Sequence, residues 1–237
     1  MNEKMKGIVT VFVDIDDTLW WFTENSKLAL RHTFDAFDIS SVCTYERFKE
    51  VYLKKNLELW NLYHHGLIDK DFLVNERFRF TLKECGYKGD VEKMCHLLDE
   101  EYLRFLALQP TTIPGARQLL EYLVAKGYDV NTLSNGFQGT QQQKLISGGL
   151  SDLIHRNVLS DDCGITKPQR GIFDYALEQC CAEAATTVMI GDNPDADIKG
   201  AHDAGWRTIY FNIRGLDPIE GTADAVVTSL DEIQQIL

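Results

Sequence analysis

An α/β fold, built on a doubly wound (Rossmann-like) parallel sheet with an inserted helical cap domain, is what three features of this sequence predict. Short apolar runs recur along the chain, helical periods fill most intervals between them, and one interval is far too long to be a simple connection. Continuous apolar runs suit strands buried on both faces, and alternation of strand with helix builds right-handed βαβ units.

The first run, residues 8–13 (IVTVFV), is β-branched and apolar and stops abruptly at Asp14. Further strands are expected at Tyr128 to Leu133, Asn157 to Leu159, Thr187 to Ile190, Thr208 to Phe211 and Ala225 to Val227. Helical periods occupy Gly115 to Lys126, Gln138 to Ser147, Arg170 to Cys180 and Asp195 to Ala204. From Trp20 to about Pro110 no buried strand appears, whereas an ordinary βα connection takes ~2–6 residues. That interval reads as helices over Tyr45 to Tyr63, Asp69 to Cys85 and Asp90 to Leu106, with breaks at Gly66 and at Gly86-Tyr87-Lys88-Gly89. The expected organisation is an α/β catalytic core of residues 1–19 and 111–237, with a helical cap of residues 20–110.

Composition narrows the partners. A net charge of -12 opposes non-specific attraction to nucleic acid polymers and anionic membranes, while small anions can still bind where the local charge is reversed. The six cysteines show no C-x-x-C spacing, so they are read as reduced thiols, mostly in the core. The opening apolar run is too short to span a membrane and lacks the small residues of a signal peptide. A cytoplasmic location is expected.

Four motifs carry chemistry, each at or just beyond the carboxyl end of a strand. Asp14-Ile15-Asp16-Asp17-Thr18 places two carboxylates two residues apart in extended chain, where they repel unless a cation or proton intervenes. Ser134-Asn135-Gly136 offers a hydroxyl and turn N–H groups to a phosphate oxygen, although Asn-Gly is also a plain turn dipeptide. Lys167, in Thr166-Lys167-Pro168, could balance the carboxylates or be an ordinary surface charge. Asp192 closes a strand after Gly191. Asp195 and Asp197 follow in the first turn of a helix, where they could equally serve its dipole. In an open α/β sheet, ligands bind outside the carboxyl ends of the strands, so one site would collect all four motifs.

In that order and spacing the motifs resemble the haloacid dehalogenase superfamily, and the long helical insertion resembles its C1 cap subclass. The resemblance implies that Asp14 is a nucleophile, Asp16 a general acid and base, and Thr18 an aid to loop orientation. Ser134 and Lys167 would hold the transferring phosphoryl group, with Asn135 and Gly136 beside them as substrate contacts. Mg2+ would be bound by the Asp14 carboxylate, the Asp16 backbone carbonyl and Asp192, with Asp197 in its outer shell. Asp16 argues for a phosphatase over the true dehalogenases, which lack an acid there. No cap lysine stands in the pattern of the phosphonate-cleaving members.

Finer features are similar to the bacterial pyrimidine-nucleotide 5'-nucleotidases of this family: Leu59 to Tyr63 with Gly66-Leu67-Ile68, Asn135-Gly136-Phe137, and Phe173 to Gln179. By that likeness the substrate is a small phosphorylated metabolite, a nucleoside 5'-monophosphate, whose base could stack on Trp20, Trp21 or Phe137. Sugar-phosphate and N-acylneuraminate 9-phosphate phosphatases share the cap class. A phosphomutase and a catalytically silent binding module on the same fold are the competing readings.

Overall fold

The computed structural model describes residues 4–237. The chain through Phe22, together with Pro110–Leu237, forms one compact unit, and Thr23–Gln109 forms another.

The first unit is built on a six-stranded, all-parallel sheet in the order β3-β2-β1-β4-β5-β6. Its strands are β1 (Thr10–Val13), β2 (Asp129–Ser134), β3 (Arg156–Leu159), β4 (Thr187–Gly191), β5 (Arg207–Phe211) and β6 (Ala225–Val227). All six lie where the apolar runs placed them. The first starts two residues later than expected, at Thr10, and the Val9 side chain before it is exposed while its N–H still bonds Thr186 O. Connections run outward from β1 to β3 on one side and from β4 to β6 on the other, so the strand order reverses at β1. The crevice beyond the carboxyl ends of β1 and β4 is therefore where ligands bind in such a sheet.

Beneath this crevice Phe12, Leu133, Val158, Ile172, Phe173, Met189 and Trp206 form one buried cluster, with the Phe12 and Trp206 rings 4.9 Å apart. Full burial of each large side chain contributes about 1.5–3 kcal/mol, which gives the loops above it a rigid base.

The second unit is entirely helical: α1 (Phe22–Ala36, its first residue shared with the sheet unit), α2 (Tyr45–His64), α3 (Lys70–Glu84) and α4 (Val91–Ala107). Thr44, Asp69 and Asp90 cap the last three, each accepting a backbone N–H from the first turn. Tyr52 and Phe78 meet in its core at 4.7 Å, beside a buried Arg77–Asp99 ion pair.

Back in the sheet unit the helices are α5 (Ala116–Ala125), α6 (Gln138–Ser147), α7 (Ser160–Cys163), α8 (Arg170–Cys180) and α9 (Gly200–Asp203). The helix expected from Asp195 begins differently. Pro194–Lys199 is a wide π turn, with Ile198 N–H reaching back five residues to Asn193 O, and α-geometry resumes only at Gly200. The thiols also differ from expectation. All six cysteines are free, but only Cys95 is buried; Cys85, Cys163, Cys180 and Cys181 sit at helix ends, where the chain meets solvent. Among the described residues no helix is long and apolar enough to cross a membrane.

Candidate active site

Asp14 leaves the sheet at its centre. Its N–H still bonds Ile190 O at 2.9 Å, which aims the buried carboxylate into the crevice. The chain then doubles back tightly. Ile15 O accepts the N–H groups of Leu19 and Trp20, and Asp17 takes a left-handed φ of 62° while its N–H bonds Trp20 O. This loop points successive acidic side chains in different directions.

Lys167 is the hub. Its buried ammonium donates to Asp14 Oδ1 at 2.7 Å, Asp197 Oδ1 at 2.6 Å and Leu133 O at 2.6 Å, using all three of its protons. Burial opposes its charge, yet Asp14 and Asp197 outweigh that and push its pKa up. Asn135, read from the sequence as a substrate contact, does something else. Its Oδ1 accepts the Lys167 N–H at 2.8 Å and its Nδ2 donates to Lys167 O at 2.9 Å, so the amide splints the lysine backbone.

Asp197 reaches this hub because of the π turn. The wide turn swings it inward, where Asn193 N–H donates to Oδ2 at 3.0 Å. Gly191 makes the approach possible, since a Cβ there would collide with the Asp197 carboxylate. Asp14, Asp192 and Asp197 thus bring one oxygen each to within 4.8 Å of one another, all buried. Arg214 Nη2 lies 2.7 Å from Asp192 Oδ2, an ion pair without hydrogen-bond alignment, and donates to Asp17 Oδ2 at 3.1 Å. Thr18, wholly buried, points Oγ1 at Asp192 Oδ1 from 3.5 Å.

Charge and burial say what this arrangement can hold. At an effective dielectric near 20, each carboxylate pair at such a separation repels by about 3 kcal/mol. Burial raises the Asp14 pKa from 3.8 to about 7, with Lys167 opposing and Asp197 and Asp16 adding to the rise. Burial likewise raises Asp192 well above the usual carboxylate range, against the pull of Arg214. Among the described residues Lys167 and Arg214 form ion pairs with Asp14, Asp17, Asp192 and Asp197, so when all four carboxylates are ionised they outnumber these two cations by two. Oxygen donors with a residual charge of that size fit a hard divalent cation.

Asp16 stands apart from the cluster. Its partly exposed carboxylate receives Lys144 Nζ on Oδ1 at 2.7 Å and Gln141 Nε2 on Oδ2 at 2.8 Å. Ser134, at the end of β2, accepts Gly136 N–H at 3.1 Å and Gln141 Nε2 at 2.6 Å. Gly136 is needed here, because a Cβ would run into the Gln141 amide.

Residues 8–205 match the sequence model of the haloacid dehalogenase-like hydrolases. The chain belongs to this family. It is similar to the pyrimidine 5'-nucleotidase YjjG of Escherichia coli, 33% identical with 96% of each chain covered. The pyrimidine 5'-nucleotidase PynA of Streptococcus pneumoniae is 30% identical, covering 86% of this chain and 84% of its own. Among solved structures, the magnesium-bound HAD-hydrolase YfnB of Bacillus subtilis superposes with a TM-score of 0.86 at 32% identity, covering 98% of this chain and 99% of that one.

In this haloacid dehalogenase-like hydrolase, sequence reasoning missed Gln141, Lys144 and Arg214. The first two had a signal: polar residues three apart on a helix, both at positions that turn out buried. Arg214 lies in a loop after β5 with no local pattern. Of the aromatic residues offered as stacking faces, Trp20 is fully buried beside Thr112 and Lys144, and Phe137 is nearly so. Neither presents a face to a base.

Proposed function

We propose that this hydrolase is a magnesium-dependent phosphomonoesterase that works through an aspartyl phosphate, with a pyrimidine nucleoside 5'-monophosphate as its substrate. The observation that carries the chemistry is the Asp14–Lys167–Asp197 hub with Asp192 beside it and a separate acid, Asp16, two residues after the nucleophile. Asp14 attacks phosphorus while the bond to the leaving oxygen breaks, and Asp16 gives that oxygen its proton. Water then attacks the aspartyl phosphate, Asp16 takes the water's proton, and the Asp14 carboxylate returns as phosphate leaves. Lys167 holds Asp14 through one oxygen and offsets charge on the transferring group, and Ser134 donates its hydroxyl to a phosphoryl oxygen. Asp14, Asp192 and the Asp16 carbonyl, with Asp197 in the outer shell, would hold magnesium, which would supply Lewis-acid neutralisation of the charge on the transferring group.

The choice of leaving group rests on likeness to the two nucleotidases, since Trp20 and Phe137 no longer support it. Relatives named glyceraldehyde 3-phosphate phosphatase, 28% identical, make sugar phosphates the comparison that matters. The test is kcat/KM for dUMP, dTMP and UMP beside sugar phosphates, phosphoglycolate and N-acylneuraminate 9-phosphate. Pyrimidine monophosphates are expected to lead. A tenfold advantage for any of the other esters ends the nucleotidase reading and leaves the phosphatase intact, whereas no phosphate release from any of them ends both.

A further inference from the structure

Asp16 must present one carboxyl group first to a leaving oxygen and then to water, yet it sits on a loop and is partly exposed. Its side chain is nonetheless held at both oxygens from a single element, α6. Gln141 and Lys144 are three residues apart on that helix, so they project from one face, and both are buried. The Lys144 ammonium is itself confined, 4.8 Å from the centre of the Trp20 ring and 5.3 Å from that of Phe22. The Asp16 loop is pinned from its other side, since Trp20 O accepts the Asp17 N–H.

The Gln141 amide does two jobs through one nitrogen. Nε2 donates to Asp16 Oδ2 and to Ser134 Oγ. Ser134 Oγ then accepts two N–H groups, from Gln141 and Gly136. A serine hydroxyl has two acceptor sites and one proton, so with both acceptor sites filled its O–H must donate outward. The amide that steadies the acid also fixes the hydroxyl as a donor for a phosphoryl oxygen.

From this geometry we infer that Gln141 and Lys144 are positioning residues of the reaction. Lys144 sets the orientation of the Asp16 carboxylate, and Gln141 ties that orientation to the Ser134 hydroxyl. The inference rests on the phosphatase reading given above. Each half-reaction then loses something different when α6 lets go. Forming the aspartyl phosphate from 4-nitrophenyl phosphate needs little proton donation, because 4-nitrophenolate leaves readily. Breaking the aspartyl phosphate still needs Asp16 to take a proton from water.

The experiment is rapid mixing of the Lys144→Met and Gln141→Leu variants with 4-nitrophenyl phosphate in magnesium, beside a crystal structure of the Lys144→Met variant. Steady-state kcat is expected to fall by about 10²-fold for Lys144→Met, the lower range of acid–base contributions, and by about tenfold for Gln141→Leu. A burst of 4-nitrophenol near one equivalent per enzyme should appear, with the Asp16 side chain displaced in the crystal. A merely structural role predicts equal loss of burst and steady rates, and that result overturns the inference. So does a kcat within twofold of the parent, or an Asp16 carboxylate that keeps its place in the variant crystal. A parent enzyme that releases no phosphate from any ester overturns the phosphatase reading instead, and the crystal still decides whether Lys144 places Asp16.

Discussion

At the scale of single residues, roles separate by which atoms each side chain has already committed. Lys167 spends its three protons on two carboxylates and one carbonyl, so it fixes Asp14 as well as balancing it. Asp14→Asn is therefore expected to abolish turnover, by about 10⁴-fold or more, while leaving the fold intact. The amide oxygen still accepts from Lys167, and one member of a repelling cluster becomes neutral. Phosphate release and the thermal midpoint check the two halves together; a midpoint well below that of the parent contradicts the charge argument. Asp16→Asn keeps a group that Gln141 can bond but cannot exchange protons, so both half-reactions should slow. Chemical trapping during turnover should label Asp14. A trapped serine or histidine removes Asp14 from its role.

At the scale of elements, the central strands β1 and β4 were legible because each is buried on both faces and so leaves a continuous apolar run, as in Val11, Phe12 and Val13. Helices with capping residues were legible too: Thr44, Asp69 and Asp90 announce α2, α3 and α4. The first helix, Phe22–Ala36, went unmarked, since it starts directly after Trp20-Trp21 with no capping or turn residue before it. The π turn was illegible for another reason. A sequence period shows that residues share a helix face, but not that Asn193 will take two N–H groups on its side chain and widen the first turn. That widening carries Asp197 to within 4.8 Å of Asp14 and Asp192. Gln141 and Arg214 were hidden similarly, because their partners lie far away in sequence. The π turn makes its own prediction. Gly191→Ala must push Asp197 away, at a cost of about 1–3 kcal/mol in stability by overpacking. Magnesium affinity, read by calorimetry, should weaken by tenfold or more, and an unchanged affinity would show that Asp197 plays no part in metal binding.

At the scale of the whole molecule, the buried carboxylates link stability, pH and metal. Burial takes the Asp14 pKa from 3.8 to about 7 and raises that of Asp192 as well. A carboxyl raised in the folded state contributes its full stability below its unfolded value and loses that contribution as pH rises through the folded one. Without metal, the cluster therefore costs more stability as pH climbs from about 4 towards 8. Surface acids act with the opposite sign. Glu101, drawn down to about 2 by Arg104 and His32, contributes stability above its ordinary value, and this is lost as pH falls towards 2. Melting curves in chelator and in saturating magnesium separate the two, because groups far from the cluster cancel in the difference. Metal ligands must be deprotonated to bind, so the magnesium effect should be near zero at pH 4.5 and grow across the window to pH 8. Magnesium at a hundredfold excess over its dissociation constant contributes about 2.7 kcal/mol, which for a chain of this size is roughly 5–10 °C in Tm. A shift of the same size at both ends of that range would mean that the ion binds somewhere other than among Asp14, Asp192 and Asp197.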